Sequence, residues 1–317
     1  MKMSLFYSVK DILNNIQLSM LLEVSGYPKP GNVHRTRDFI DTHFEHFLVG
    51  GVVIRDVFQS LCNHTLNIRK KNEDYSQIQL GKYILQAVQE TNKWQYGGNV
   101  NLGEILLLIP LCAAVCILVE RSNKTINDVR IELDKVIKNS TYKDTINLYK
   151  AIEIANPGGM GEINEFDINN ISSLEKIKSQ KINLYQIFDI SKHRDSIAME
   201  WVSKFKITFE LGVPFFLNTF QESRDINTAI VNTFLKIASE IPDTLIIRQS
   251  GKKYAKKYSQ TATKILAQGG ILNPSNKIKL FEWEKRLMNS NLKINPGTTA
   301  DLTASTIFIS LLSGIRF

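Results

Sequence analysis

The sequence predicts an all-α protein, a single-domain helical bundle of about twelve helices occupying residues 1–317. Three observations carry that expectation. Apolar residues recur at spacings of three and four along nearly the whole chain, as at Ile197, Trp201 and Phe205, or Ile230, Phe234 and Ile237, which places them on one face of a helix. No stretch alternates apolar and polar side chains long enough to make a half-buried strand. Glycine and proline fall between the periodic stretches, where both interrupt helices.

Taken in order, the helical pattern covers residues 5–24, 41–63, 76–94, 102–120, 125–138, 143–155, 184–192, 195–211, 225–240, 252–268, 276–289 and 298–312. The first is amphipathic and closes on Glu23. The fourth contains an apolar run over residues 105–119 with Pro110 inside it, shorter than the ~20 residues a bilayer span needs, so it reads as a buried core helix. Cys112 and Cys116, four apart in that run, read as packing residues. His43 and His46 share a helix face but lack a third ligand of suitable spacing for a metal. The polar stretch 169–181 reads as a long loop or a short exposed helix.

With 43% hydrophobic and 22% charged residues, the chain has enough apolar surface for a core and too little charge for a disordered tail. Thirty-nine Lys and Arg against 31 Asp and Glu leave +8. That excess suits phosphate-bearing small molecules and falls short of a nucleic-acid binder. Three cysteines form neither a paired framework nor a Cys-x-x-Cys site, so a reducing cytoplasm is expected. Residues 1–20 lack the pattern of a signal peptide.

Five segments can carry chemistry. Residues 22–34 place Glu23 at a helix end and Lys29 between Pro28 and Pro30, which fix φ around it. Such a cation meets a phosphate at little ordering cost, though the same residues also describe a surface loop. In residues 94–104, one of Asn99 and Asn101 caps the next helix, and the other, with Gly97 and Gly98, can orient an anion at its N-terminus. Residues 156–162 form a glycine loop with Glu162, Glu165 and Asp167 following, carboxylates that hold Mg²⁺ or are merely solvated. Residues 243–251 precede Lys252, Lys253, Lys256 and Lys257, a broad cationic face if helical. In residues 295–302, Thr298 and Asp301 have capping-box spacing, so a structural Asp301 competes with a chemical one. The nucleotide-binding and hydrolase fingerprints for P-loops, dinucleotide folds, zincins and nucleophile elbows are absent from the sequence.

In this order the segments resemble the triphosphoribosyl-dephospho-coenzyme A synthase (CitG-like) family. The matching pieces are Pro28-Lys29-Pro30-Gly31, Asn99 to Gly103, Asp243 to Gly251 with Gly269-Gly270 beyond, and Asn295-Pro296-Gly297-Thr298-Thr299-Ala300-Asp301-Leu302, spread over nearly the whole chain. The resemblance implies an all-helical fold and a transfer in which ATP gives its triphosphoribosyl unit to a ribose hydroxyl of dephospho-coenzyme A, releasing adenine. Two pieces depart from the bacterial pattern. Bacterial Asn-Thr-His-Lys-Gly reads here Asn99-Val100-Asn101-Leu102-Gly103, and Lys-Pro-Gly-Leu-Val-Asp reads Lys29-Pro30-Gly31-Asn32-Val33-His34. Together with Asn156-Pro157-Gly158-Gly159-Met160-Gly161 and Asp195-Ser196-Ile197-Ala198, this is similar to an archaeal-type branch associated with one-carbon pterin cofactors. The implied acceptor is therefore dephospho-coenzyme A or a pterin-type precursor. Leu102 cannot neutralise a phosphate as a lysine does, which implies an acceptor less anionic at that point.

The resemblance and the segments together assign expected roles. Lys29, Arg248 and Lys252 contact the triphosphate, with Gly31, Asn99, Asn101, Gly158, Gly159, Gly297 and Thr298 around the nucleotide. Mg²⁺ is held by carboxylates drawn from Glu23, Asp56, Glu162 and Asp301. Glu23 and Asp301 form the acid–base pair that breaking a glycosidic bond through an oxocarbenium-like centre requires. A nucleotide-binding protein without catalysis would share all but the turnover. Neither a membrane nor nucleic acid is expected as a partner, and a homo-oligomer is left open.

Overall fold

A computed structural model describes residues 5, 7–71, 74–158, 166–168, 170–290 and 292–317. Among them it contains α1 (Val9–Ser25), α2 (Phe44–Val53), α3 (Arg55–Lys70), α4 (Leu80–Trp94), α5 (Leu102–Ile117), α6 (Ile126–Lys138), α7 (Tyr142–Ala155) and α8 (Ile171–Gln180). There follow α9 (Leu184–Ser191), α10 (Ser196–Ser203), α11 (Val213–Ser223), α12 (Ile226–Glu240), α13 (Thr244–Ser250), α14 (Lys252–Ala267), α15 (Pro274–Met288) and α16 (Gly297–Leu311). The described residues hold no strand, only an isolated bridge between His34 and Arg37. The all-α expectation holds, with sixteen α-helices among the described residues instead of about twelve. The stretch 41–63 breaks at Ile54 into α2 and α3, and the polar stretch near 170 forms α8. The short α13 follows Asp243, and α11 emerges from a π-helical turn at Ile207–Gly212.

Local chemistry explains the starts of these helices. Ser8 with Asp11, Thr125 with Asp128 and Thr141 with Asp144 form capping boxes at α1, α6 and α7, each satisfying backbone N–H groups that the first turn leaves free. In α1, Ile12, Ile16, Met20 and Val24 repeat every fourth residue and are buried.

Helix α5 has no polar side. Every residue in it except Gly103 is buried, as the continuous apolar run predicted, and Cys112 and Cys116 are fully buried within it. Pro110 removes the N–H that would bond the Leu106 carbonyl. The indole of Trp201 on α10 donates to that carbonyl instead, at 3.1 Å. A proline at the centre of the core is thereby tolerated, and α10 is fastened across α5.

Helix α16 lies against α1, α5 and α12 and is buried almost throughout. Two of its threonines turn onto its own backbone: Thr303 donates to the Thr299 carbonyl and Thr306 to that of Leu302, both at 2.8 Å. Small, self-satisfied side chains let neighbours approach closely. At Gly212 a Cβ would overlap Thr306 Oγ1.

Candidate active site

The site forms where the C-terminal end of α1 meets the N-terminal ends of α5, α10, α13 and α16. The register of α1 turns Glu23 inward, 3% exposed. Beyond it the chain leaves at Gly26, whose missing side chain makes room for Ile230, and passes through a cis Tyr27–Pro28 bond. Lys29 then points back into the protein and is fully buried. Its ammonium donates to the Glu23 carbonyl at 2.7 Å and to the Glu23 carboxylate. Lys29 is thus an internal ion pair, and the reading of it as an exposed loop cation is corrected.

Two further carboxyls face this pair. Glu104, in the first turn of α5, is 6% exposed. Among the described residues nothing donates a hydrogen bond to it. Asp301 of α16 lies against Gly103, where any Cβ would overlap its carboxyl oxygens. Glycine at 103 is what allows the two helix ends to meet. Burial pushes the Glu104 carboxyl well above the usual range, and the carboxylates of Glu23 and Asp301 push it further, against the pull of Lys29. Asp301 is raised well above its usual range by burial first, then by Glu23, Asp243 and Asp195, with Arg248 opposing. Burial lowers Lys29, and Glu23 offsets that.

The surrounding helix ends are tied to one another by side chains. Asp243 caps α13 by accepting from the Leu245 and Ile246 N–H groups at 2.8 and 3.0 Å. Its other oxygen accepts from the Thr299 N–H and hydroxyl at 2.7 and 2.8 Å, which fixes α13 to α16. The Thr244 hydroxyl accepts from the Ser196 N–H at 3.3 Å and donates to the Thr298 hydroxyl at 3.2 Å, joining α10. Asp195 caps α10 with one oxygen and receives Arg248 with the other, at 2.5 Å. Asn32 donates to Asn295 at 3.1 Å, and a Cβ on Gly31, whose φ is +89°, would meet the Ile294 carbonyl at 2.8 Å. The loops at Pro30-Gly31 and Pro296-Gly297 are therefore neighbours. Convergent helix N-termini make a region where backbone dipoles favour negative charge.

The other expected residues distribute unevenly. Gly297 packs on Leu245, and Gly158 lies beside Gln249, next to Arg248. Thr298 is buried but does not cap α16. Pro296 holds that position, so Asp301 belongs to no capping box. Asn99 does the capping at α5, accepting from the Leu102 N–H at 3.1 Å. Asn101 is buried and donates to Thr91 at 3.3 Å. Both asparagines and Leu102 line a small open pocket with Thr91 and Gln95. Lys252 is exposed. Asp56 is exposed on α3, whose Arg55 contacts Asn14 and Gln17, roughly two turns along α1 from Glu23; the structure does not bring it to the cluster. Gly159 and Glu162 lie outside the described residues.

Sequence reading missed Glu104 as a site residue. Its signal was the Asn101-x-x-Glu104 spacing, which imitates a capping box. Also missed were the partnership of Asp195 with Arg248 and a buried pair behind the loop, His34 with Glu284 at 2.7 Å. For a divalent cation, the donors near Lys29 are of the right kind, hard carboxylate oxygens in excess over cations. Among the described residues, however, only Cys62, Cys112 and Cys116 bring three metal-capable atoms within 4.8 Å of one another. Mg²⁺ therefore fits here only as it commonly binds, through one or two carboxylates completed by substrate phosphates and water.

Fold and site define a class: an all-helical protein with a buried acid cluster beneath converging helix N-termini, suited to handling a phosphate-bearing ligand. The chain belongs to the CitG family, described as ATP:dephospho-CoA triphosphoribosyl transferase, which it matches over residues 9–316. It is 31% identical over 99 residues to the 2-(5''-triphosphoribosyl)-3'-dephosphocoenzyme-A synthase of Klebsiella pneumoniae, covering 31% of this chain and 32% of that protein. The protein of the same name from Escherichia fergusonii is 30% identical over 108 residues, 34% of this chain and 35% of its own. The match thus spans about a third of these curated relatives. A solved structure from Archaeoglobus fulgidus, provisionally named a triphosphoribosyl-dephospho-coA synthase, covers 86% of this chain and 100% of its own at 27% identity, with a TM-score of 0.64.

Proposed function

We propose that this protein is a cytoplasmic, Mg²⁺-dependent transferase that moves the triphosphoribosyl unit of ATP to an acceptor hydroxyl and releases adenine. The observation that carries the reading is the meeting of three carboxyls, Glu23, Glu104 and Asp301, around the fully buried cation Lys29. In the reaction the ribose C1'–N bond to adenine breaks and a bond from C1' to the acceptor oxygen forms. A carboxyl of raised proton affinity protonates the departing base, and Asp301, pushed well above its usual range by burial, is suited to it. Glu23, already aligned by the Lys29 ammonium, takes the proton of the attacking hydroxyl. The N-termini of α5, α10 and α16, with Arg248, face the triphosphate. Mg²⁺, where bound, would be held by Glu23 or Asp301 and supplies charge neutralisation for the phosphates.

Leu102, buried beside Asn99 and Asn101, favours a second reading in which the acceptor is a pterin-type precursor instead of dephospho-coenzyme A. Incubation with ATP, Mg²⁺ and each acceptor separately, followed by chromatography for adenine, tests both. Acceptor-dependent adenine is expected. Faster turnover with dephospho-coenzyme A than with any pterin-type acceptor rejects the changed acceptor, and adenine release with neither rejects the transfer.

A further inference from the structure

The positive charge of the chain is concentrated in one place. Residues 244–293 hold eleven Lys and Arg against two Glu, a net +9 on a chain whose total is +8, so all the rest sums to −1. Of the eleven, Arg248 is ion-paired, to Asp195. Among the described residues none of the other ten has a carboxylate within 4.0 Å. Elsewhere in the chain Lys93, Lys135, Lys138, Lys192 and Lys236 each pair with an acid three or four residues away. Eight of the ten, Lys252, Lys253, Lys256, Lys257, Lys264, Lys279, Lys285 and Arg286, are exposed on α14 and α15, which meet through the Tyr258 and Trp283 rings, 4.6 Å apart.

This face adjoins the site. Helix α14 begins at Lys252, with only Gly251 between it and α13, which carries Arg248. The Ser250 hydroxyl donates to the Lys293 carbonyl at 2.9 Å, which brings the strand of chain leading into α16 beside the same end. The site within is rich in acids, with Glu23, Glu104, Asp195, Asp243 and Asp301 against Lys29 and Arg248. With acids outnumbering cations there, a field of opposite sign outside adds to the helix N-termini in drawing a polyphosphate in.

We infer that the α13–α15 face gathers nucleoside triphosphate from solution and steers it into the acidic site. The inference rests on the reading of that site as an ATP site. Unpaired cations around a cleft raise arrival rates by roughly 10- to 1000-fold, and salt removes the effect, because exposed charges are screened beyond ~8–10 Å at physiological ionic strength.

The test is stopped-flow association of a fluorescent trinitrophenyl ATP analogue with Mg²⁺, at low and at physiological salt, on the full chain. It compares the parent with Lys253, Lys256, Lys257 and Lys264 changed together to Gln, and together to Arg. All four are exposed, and thermal melts verify that the variants fold. At low salt the Gln variant is expected to associate roughly five- to tenfold more slowly, with a flatter salt dependence, an unchanged dissociation rate and unchanged kcat, while the Arg variant keeps the parental rate. Equal rates and salt slopes in parent and Gln variant overturn the inference. So does a Gln variant that loses binding of a duplex oligonucleotide while its ATP association is untouched, which would make the face one for nucleic acid. Slowed association without any adenine release in the parent would sustain steering and reject the transfer; adenine release with unchanged association would do the reverse.

Discussion

The acid cluster and the lysine face treat charge in opposite ways. Around Lys29, Glu23 and Glu104 are buried and Asp301 is half-buried, and removal from water raises the proton affinity of Glu104 and Asp301. On α14 and α15, most of the cations stand in water without a carboxylate partner. The difference is one of dielectric. Inside, a charge is expensive unless paired, so the residues there are fixed in geometry and tuned in proton affinity. Outside, a charge is cheap and screened, so it acts at a distance and tolerates replacement. Chemistry belongs in the first region and capture in the second.

The largest effect that would break this comparison concerns the cluster. Glu23→Gln and Asp301→Asn are each expected to lower adenine release by ~100- to 10,000-fold while melting near the parent. Undiminished release by both amides removes the pair from the chemistry. Lys29→Ala leaves Glu23 buried without its cation and is expected to cost ~3–5 kcal/mol of stability. Combining Lys29→Met with Glu23→Gln recovers most of that loss in denaturant melts and none of the turnover; a melt unchanged by Lys29→Ala would mean that the pair is not buried. Gly103→Ala forces a methyl into the Asp301 carboxyl, an overpacking expected to cost ~1–3 kcal/mol together with a loss of adenine release.

A smaller effect sharpens the cost of interior charge away from the site. Glu200 is fully buried, accepts from the Thr208 N–H at 2.8 Å and is pushed up to about 8 by burial. The folded protein keeps this proton up to about pH 8, whereas the unfolded chain releases it near 4.5. Between those values the unfolded state binds fewer protons, so stability falls as pH rises. Glu200→Gln is expected to melt like the parent at pH 4 and above it at pH 9. Parallel melting curves across that range would show that Glu200 does not ionise out of water.

Most of the fold was legible because periodicity reports directly on burial. The run of residues 105–119 could only be a core helix, and α5 is that helix. The additional helices escaped for identifiable reasons. Ile54 breaks a continuous pattern without a glycine or proline to mark it, and α13 is seven residues long, too short to show a period. Within the site, the stretches bearing Lys29, Arg248 and Asp301 were visible as segments, but partnership across the chain was not. Nothing local tells that Lys29 turns back onto Glu23, that Asp243 bridges to Thr299 across 56 positions, or that Asn99 releases Glu104 from capping. Spacing rules describe neighbours on one helix, and this site is built between helices.

Hydrogen exchange followed by mass spectrometry, with and without ATP and Mg²⁺, tests the central claim most directly, because it locates the nucleotide without relying on turnover. The account predicts slowed exchange in residues 23–32, 99–104, 243–248 and 296–301 together, with α14 and α15 little changed. Protection confined to α14 and α15, or to segments remote from Lys29, would contradict it.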